Sequence, residues 1–523
     1  MTDEATAKLE GDEIVLSFPY NLDTIDLVRD ITGRKWDATR KVWVIPASVW
    51  HAQQVLSKLS RVFRVDPAIR RMATGSNAVP PRLRYPDGLY DFQKAGVKYV
   101  IGTGGRCIIA DEMGLGKTIE ALAYVLMFGG KTLIVAPANV IYKWRDEYQK
   151  WVPGKTVAVV KTGSEPLPDT DAVIMSFSIM TLQYPRLIKT PFDVGIWDEA
   201  HYLKNSKTQR TRVAKSLITA GLPKVLFLSG TPFMNAPIEL FTLLNMLDPI
   251  GFNNYWAYAT KYCGAMKIDG IFTIPKHTVT NVDELTKRLE KYMVRRTKRD
   301  VELELPDLTR SYVPVEIENM KAYLGAVRDV SEWLNSKGKD VKNKSHVLTR
   351  LGILRQIVGE GKVEAAYELA ENILDAGRKV VLFAHHKSVV DSLYGKLRKR
   401  GARVIDGSTP SEDRLKFSKE FLISDSEIRV IIMSTAGAEG IDLYSASDII
   451  FVEREWTPSK EEQAEARLHR IGQKNAVVAH YIVAAGTIDE KINKLIADKR
   501  QVFGQVIHSD DILELVIEEL KHD

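Results

Sequence analysis

Two series of short, nearly unbroken apolar runs constrain this chain more than any other feature. The first reads "RCIIA", "TLIVAPA", "DAVIMS", "DVGIWDE" and "KVLFLSGTP"; the second reads "KVVLFAHH", "ARVIDGS", "IRVIIMSTAG", "DIIFVER" and "VAHYIVA". Strands that are apolar on both sides need cover on both faces. The amphipathic stretches between them can supply it as helices, which specifies a parallel sheet in each series. Two α/β lobes are expected. Between them, from about Asp248 to Ile357, strand signals thin out and charged helical text takes over, with a loop or disordered break at "NSKGKDVKNKS". No internal repeat at solenoid spacing interrupts this plan.

The first 75 or so residues differ in kind. "RKWDATRKVWVIP" alternates as a hairpin does, and "ATGSNAVPPRLRYPDG" reads as a linker into the first lobe. From Arg29 to Arg84 there are twelve Lys/Arg against three Asp/Glu, interleaved with Trp36, Trp43 and Trp50. Cations release counterions from phosphates and tryptophans stack on unpaired bases. The rings serve equally well as the core of a small domain, and the sequence leaves both uses open. Arg34, Lys35, Trp36, Arg40, Lys41 and Trp43 are the DNA-binding candidates here.

A length of 523 residues suits about three domain-sized units. The net charge of +6 and pI near 8.9 lean towards a polyanionic partner without requiring one. Cys107 and Cys263 are too few for a disulfide framework or a paired-cysteine zinc site, which suits a reducing compartment. No run approaches the ~18 apolar residues that span a bilayer, and the acidic start "MTDEATAKLEGDE" lacks an apolar segment. The expected setting is the cytoplasm of a bacterial or phage-infected cell, or the nucleus in a eukaryote. A metal site at His385 and His386 is not expected, because adjacent residues at a strand end point apart and no third ligand is suitably spaced.

The chemistry is concentrated in three places. "ADEMGLGKTIEAL" sits at a strand-loop-helix junction, where Gly114 and Gly116 let backbone amides curl around phosphates, Lys117 reaches the β/γ-phosphates and Thr118 can ligate magnesium. The first glycine of the strict phosphate-loop pattern is replaced by Asp111. In "DVGIWDEAH" a strand ends in two carboxylates, so that Asp198 can hold the metal through water while Glu199 orients or deprotonates the attacking water. In "QAEARLHRIGQK", Gln463, Arg467 and Arg470 are spaced to share one helix face.

"DEMGLGKT", "DEAH", "LSGTP", "RRTKRDV", "STAGAEGIDL" and "QAEARLHRIGQ", in this order between about Leu83 and Lys499, resemble the motifs of Swi/Snf-type ATPases of helicase superfamily two. The resemblance implies two RecA-like parallel-sheet lobes with helical insertions, ATP and Mg2+ in the cleft, and translocation on double-stranded DNA. It implies that Met113, Gly114, Leu115, Gly116, Lys117 and Thr118 cradle the nucleotide, with Gln93 reading adenine and Gln463 also at the nucleotide. Arg467 and Arg470 would stabilise transition-state charge when the lobes close. Ser229 and Thr231, with Gly437, Glu439, Gly440 and Asp442, would couple hydrolysis to DNA contact.

"FAHHKSVVD", "IDGSTPSEDR" and "GRKWDATRKVWVIP" resemble the annealing-helicase branch of that family and its HARP-type module. The expected organisation is a small N-terminal α+β DNA-binding domain over 1–78 and a first lobe over 79–306, with a helical insertion from about 248. A helical connection over 307–358 and a second lobe with C-terminal helices over 359–523 complete it. The expected function is double-stranded DNA translocation that remodels branched DNA by strand annealing or fork regression. Displacement of RNA polymerase or nucleosomes, and a catalytically inactive DNA-binding scaffold, are the alternatives.

Overall fold

The computed structural model describes the chain except residues 1–4, 12, 32–33, 48, 74–82, 231–236, 269–270, 276–277, 302–304, 338–343, 435–436, 438–439, 456–457 and 494–523. The chain forms two compact units, Met1–Glu302 and Leu303–Asp523.

The first unit begins with a small mixed sheet of β1 (Thr6–Glu10), β2 (Glu13–Ser17), β3 (Lys35–Asp37), β4 (Val42–Pro46) and β5 (Arg64–Val65), in the order β3-β4-β2-β1-β5. The expected hairpin is present: β3 and β4 pair antiparallel with Trp36 opposite Trp43. Its turn follows from the sequence. The Asp37 carboxylate accepts from the Thr39 and Arg40 amides at 3.0 Å each, and Lys41 takes a left-handed φ of 54°. Alternate residues Ala7, Ile14, Leu16 and Ile45 face the core, joined by Val55 and Leu59 from the helix Val49–Leu59.

The larger sheet of this unit comprises β6 (Arg106–Ile109), β7 (Thr132–Ala136), β8 (Val157–Val159), β9 (Ala172–Ser176), β10 (Val194–Trp197) and β11 (Lys224–Leu228). After a two-stranded hairpin, β12 (Met266–Ile268) and β13 (Ile271–Thr273), the edge strand β14 (Met293–Val294) completes it. The order is β14-β6-β11-β10-β7-β9-β8, and every pairing is parallel. The segment from about 248 therefore holds this hairpin as well as the helices Tyr255–Cys263 and Val282–Leu289.

The second unit carries β15 (Leu308–Val315), β16 (Val380–Phe383), β17 (Ala402–Ile405), β18 (Val430–Met433), β19 (Asp448–Phe451) and β20 (Val477–Ala484), ordered β15-β20-β19-β16-β18-β17 and all parallel. Both faces are buried, as continuous apolar strands require. Val380, Leu382, Val430 and Ile432 enter one core cluster, while Val381, Phe383, Ile431 and Met433 enter another.

One boundary differs from the sequence reading, which places 307–358 in a helical connection. Its first segment is β15, paired residue for residue with β20 from Leu308↔Val477 to Val315↔Ala484. "LTRSYVPV" escapes notice because an edge strand is polar on alternate positions, and an edge tolerates Pro314. The helices Met320–Lys337 and Lys344–Gly361 follow and contribute Tyr323, Leu351 and Leu354 to a core shared with Ile488 and Ile492. Among the described residues no helix is long and apolar enough to cross a membrane.

Candidate active site

The glycine loop follows β6 and opens the helix Lys117–Phe128. Gly116 precedes that helix with φ 86°, and a Cβ there would lie 2.5 Å from Gln93 Nε2, so both the left-handed turn and the close approach demand glycine. Gln93, buried in the helix Asp91–Gly102, donates from Nε2 to Leu115 O at 3.0 Å and accepts the Tyr90 amide at Oε1. The expected adenine-side glutamine is thus fastened to the loop that runs from Met113 and Gly114 to Thr118. Lys117 Nζ donates to the carbonyls of Asp111 at 2.8 Å and Glu112 at 3.3 Å. Burial pushes its pKa down, against the pull of Glu199, Asp111 and Asp198.

Asp198 and Glu199 follow β10 on the same side of the sheet. Asp198 accepts Trp144 Nε1 at 2.8 Å on one oxygen and the Glu199 amide at 2.9 Å on the other. Burial and the adjacent Glu199 carboxylate push its carboxyl up to about 6, against those bonds and Lys117. Glu199 adopts φ 47° and ψ 51°, a costly conformation for a residue with a side chain and one that clusters at functional sites. His201 Nδ1 lies 3.2 Å from Glu199 Oε2 and 3.4 Å from Ser229 Oγ, bridging the acid pair to the expected coupling serine. Its partner in that motif, Thr231, lies outside the described residues. The text "DEAH" contains His201 and "VIYKWRDE" contains Trp144, but neither role has a local signal.

Asp111, where the strict loop pattern has glycine, is fully buried. Arg296, from "RRTKRDV", directs Nε to both Asp111 oxygens at 3.1 Å, pairs with Asp111 through Nη2, and reaches Glu120 at 2.7 Å and the Phe92 carbonyl. Glu120 is buried as well; its desolvation and Asp111 raise its pKa well above the carboxylate range while Arg296 opposes them. One guanidinium therefore serves two buried acids.

In the second unit, Gln463 and Arg467 lie on the helix Pro458–Leu468, but Arg470 does not. The helix stops before it, and Gly472 turns with φ 104° while Gln473 Nε2 donates to Ala446 O and Leu468 O. The expected single helical stripe is therefore broken between Arg467 and Arg470. Tertiary contact regroups them: Arg470 forms an ion pair with Asp442, and Arg467 O accepts the Leu443 amide at 3.0 Å. Gly437 lets its loop press against β17, since a Cβ there would lie 1.9 Å from Ile405 O. Gly440 turns the same loop with φ 76°, and Glu439 lies outside the described residues. The two histidines pair with different glutamates, His386 Nδ1 with Glu453 at 2.5 Å and His385 Nδ1 with Glu455 at 3.2 Å.

The N-terminal candidates divide by contact. Trp36 is 53% exposed and meets Trp43 edge-on at 5.5 Å, while Trp43 packs against the small core. Arg40 pairs with Glu10 at 2.6 Å and Glu13 at 3.2 Å, and Arg34 donates to Ile31 O; Lys35 and Lys41 are exposed.

A phosphate-type loop, an acid pair at a strand end and a second parallel-sheet unit with Arg467 and Arg470 at a helix end define an ATPase of helicase superfamily two. Residues 92–362 match the SNF2-related domain and residues 361–472 the helicase conserved C-terminal domain. The chain belongs to the SNF2-related family.

Among its relatives is the Caenorhabditis elegans homolog of SWI/SNF-related matrix-associated actin-dependent regulator of chromatin subfamily A-like protein 1, 31% identical over 96% of this chain and 76% of that protein. The human DNA annealing helicase and endonuclease ZRANB3 is 30% identical over 82% of this chain and 41% of its own length. The Sulfolobus solfataricus SWI2/SNF2 ATPase core in complex with dsDNA aligns over 85% of this chain and 98% of its own, with 25% identity and a TM-score of 0.40. The chain thus spans three quarters of the nematode relative and less than half of the human one.

Arg296→Ala leaves Asp111 and Glu120 as a buried like-charge pair and should destabilise the first unit by about 3–5 kcal/mol near neutral pH. A carboxyl raised above its unfolded value costs stability at high pH and regains it as pH falls. The deficit should therefore shrink as pH falls from neutral towards the ordinary carboxylate range in denaturant melts.

Proposed function

We propose that this chain is an ATP-driven, magnesium-dependent double-stranded DNA translocase that remodels branched DNA by strand annealing or fork regression. The observation that carries the reading is the convergence of Lys117, Asp198 and Glu199 at the carboxyl ends of β6 and β10, which only β11 separates, in a chain similar to a DNA annealing helicase over 82% of its length. The name of the human relative supplies the annealing part.

Within this reading Lys117 binds the β/γ-phosphates, and the helix start beside it directs amides towards them. Asp198 and Thr118 suit a divalent cation: two adjacent carboxylates raise one another's proton affinity, and a cation relieves that repulsion. Bound magnesium supplies charge neutralisation of the phosphates. Glu199 orients and deprotonates the attacking water, and its connection through His201 to Ser229 carries the state of the site towards DNA contacts. Gln93 positions the base and Gln463 contacts the nucleotide, while Arg467 and Arg470 stabilise developing charge on the γ-phosphate. The Arg470–Asp442 pair makes that contribution depend on the Gly437–Asp442 loop.

Trp36, exposed on the edge strand β3 beside Lys35, supports base stacking by the N-terminal domain better than a role in its core. Trp43 has the opposite character, packing inward beneath it.

Glu199→Gln should retain ATP binding while turnover falls about 10²–10⁴-fold, whereas Lys117→Ala should lose productive nucleotide binding; wild-type turnover by Glu199→Gln would refute the site. Because Asp198 holds its proton to about pH 6, magnesium·ADP affinity should drop as pH falls below that value and level off above it. The inflection should move down in Glu199→Gln, which titration calorimetry across pH reads directly. Deleting residues 1–78 should leave ATPase stimulation by long duplex DNA near its original level and reduce stimulation by forks. Trp36→Ala should reproduce part of that loss, about 1–3 kcal/mol per stacked base, without lowering the melting temperature. An unchanged fork preference after truncation would reduce the reading to a general duplex translocase.

A further inference from the structure

A basic recess of about 520 Å³ opens at the far edge of the second unit's sheet, lined by Arg398, Lys399, Arg400, Arg403 and Arg429 with Glu427 as the sole lining carboxylate. Its walls come from three segments: the turn Arg398–Arg400, the edge strand β17 and the residues before β18. Gly401, with φ 78°, brings the first wall against the third, and its carbonyl accepts the Arg429 amide at 3.1 Å.

Most of this positive charge is not neutralised within the protein. Arg400 pairs with Asp375 and with Glu371 at 3.3 Å. Arg403 and Arg429 instead donate to the carbonyls of Ala402 at 2.9 Å and Leu374 at 2.8 Å, which fix the guanidinium groups without cancelling their charge. Arg398 and Lys399 are exposed, and among the described residues neither has a carboxylate partner. A cation or two at the end of the helix Lys387–Leu397 suits its dipole. Five converging on one recess exceed that need.

The position is informative too. Nucleotide and ligand sites of parallel α/β sheets lie at the carboxyl ends of the strands, where Ser434 follows β18 and the helix Pro458–Leu468 comes after β19. The recess lies at the opposite, amino ends, where Ala402 is in register with Val430. Four strand residues, about 13 Å, separate the two poles. The recess therefore opens at the pole of the sheet away from those carboxyl ends.

We propose that this recess binds the phosphate backbone of a second DNA segment, an arm of a branched substrate other than the one being tracked. The inference rests on the translocase reading above and gives branched-DNA preference a second origin, separate from the N-terminal domain. A recess of this volume accommodates about two or three successive phosphates, whose charges along one strand recur every ~3.4 Å of helix axis.

The test compares the wild-type full chain with Arg398→Glu/Lys399→Glu, measuring binding to a four-way junction and to a linear duplex of equal length across a salt series. On the junction, affinity should fall about tenfold or more, and the slope of log K against log salt should become shallower by about two, close to 0.9 for each phosphate no longer neutralised. On linear duplex both should stay unchanged. Arg398→Gln/Lys399→Gln should give a smaller loss with an unaltered thermal melt. Equal losses on both DNAs would overturn the inference by making the recess an ordinary duplex contact, as would no loss on either. A wild type without junction preference would overturn the branched-DNA reading itself, whereas a preference kept in full by the variants would overturn only this inference.

Discussion

The ion cluster of Arg296 with Asp111 and Glu120 is the interaction on which the rest of the nucleotide site depends. It joins the segment after the edge strand β14 to the loop after β6 and to the first turn of the helix Lys117–Phe128, across 185 residues of sequence. Lys117 is fixed by the carbonyl of the same Asp111. The position of the Lys117 ammonium is therefore coupled to a buried salt bridge between Arg296 and two acids that have no access to water. Such clusters add little net stability compared with apolar packing, but removal of one partner is costly, which favours a single arrangement of the loop.

The electrostatics of the site follow a common pattern of mutual opposition. Burial penalises the charges of Lys117, Asp198 and Glu120, and each is restored in part by an opposite charge a few ångströms away. The acid pair carries an additional like-charge penalty and sits on a strained backbone at Glu199. A nearby positive charge offsets the like-charge penalty, and Lys117 supplies part of that offset. In the second unit the analogous arrangement is simpler. Arg470 is held by Asp442, and Gly437 lies close against β17.

Legibility in the sequence followed the range of the forces involved. The sheets of both units were readable because a strand buried on both faces must be apolar at every position, a property of four or five consecutive residues. The β3–β4 hairpin was readable from its alternation and from the Asp37 turn. β15 was not, because an edge strand exposes alternate side chains and its partner β20 begins 169 residues later. Arg470 lies beyond the helix that its spacing implies, because spacing alone does not show where a helix stops; the left-handed Gly472 and the Gln473 side-chain bonds decide that.

By itself the sequence determined the α/β character of both units, the strand-loop-helix context of Lys117 and the strand-end placement of Asp198 and Glu199. Each of these is set by local periodicity and by backbone freedom at particular glycines. Tertiary structure alone decided that Asp111 replaces a glycine in order to hold Arg296, that Trp144 and His201 serve the acid pair, and that Trp36 faces solvent while Trp43 packs inward. It also gathered five cations from three segments into one recess at the amino ends of β17 and β18. The physical reason is that charge pairing and burial depend on distances through space, which the chain fixes only once its sheets have closed.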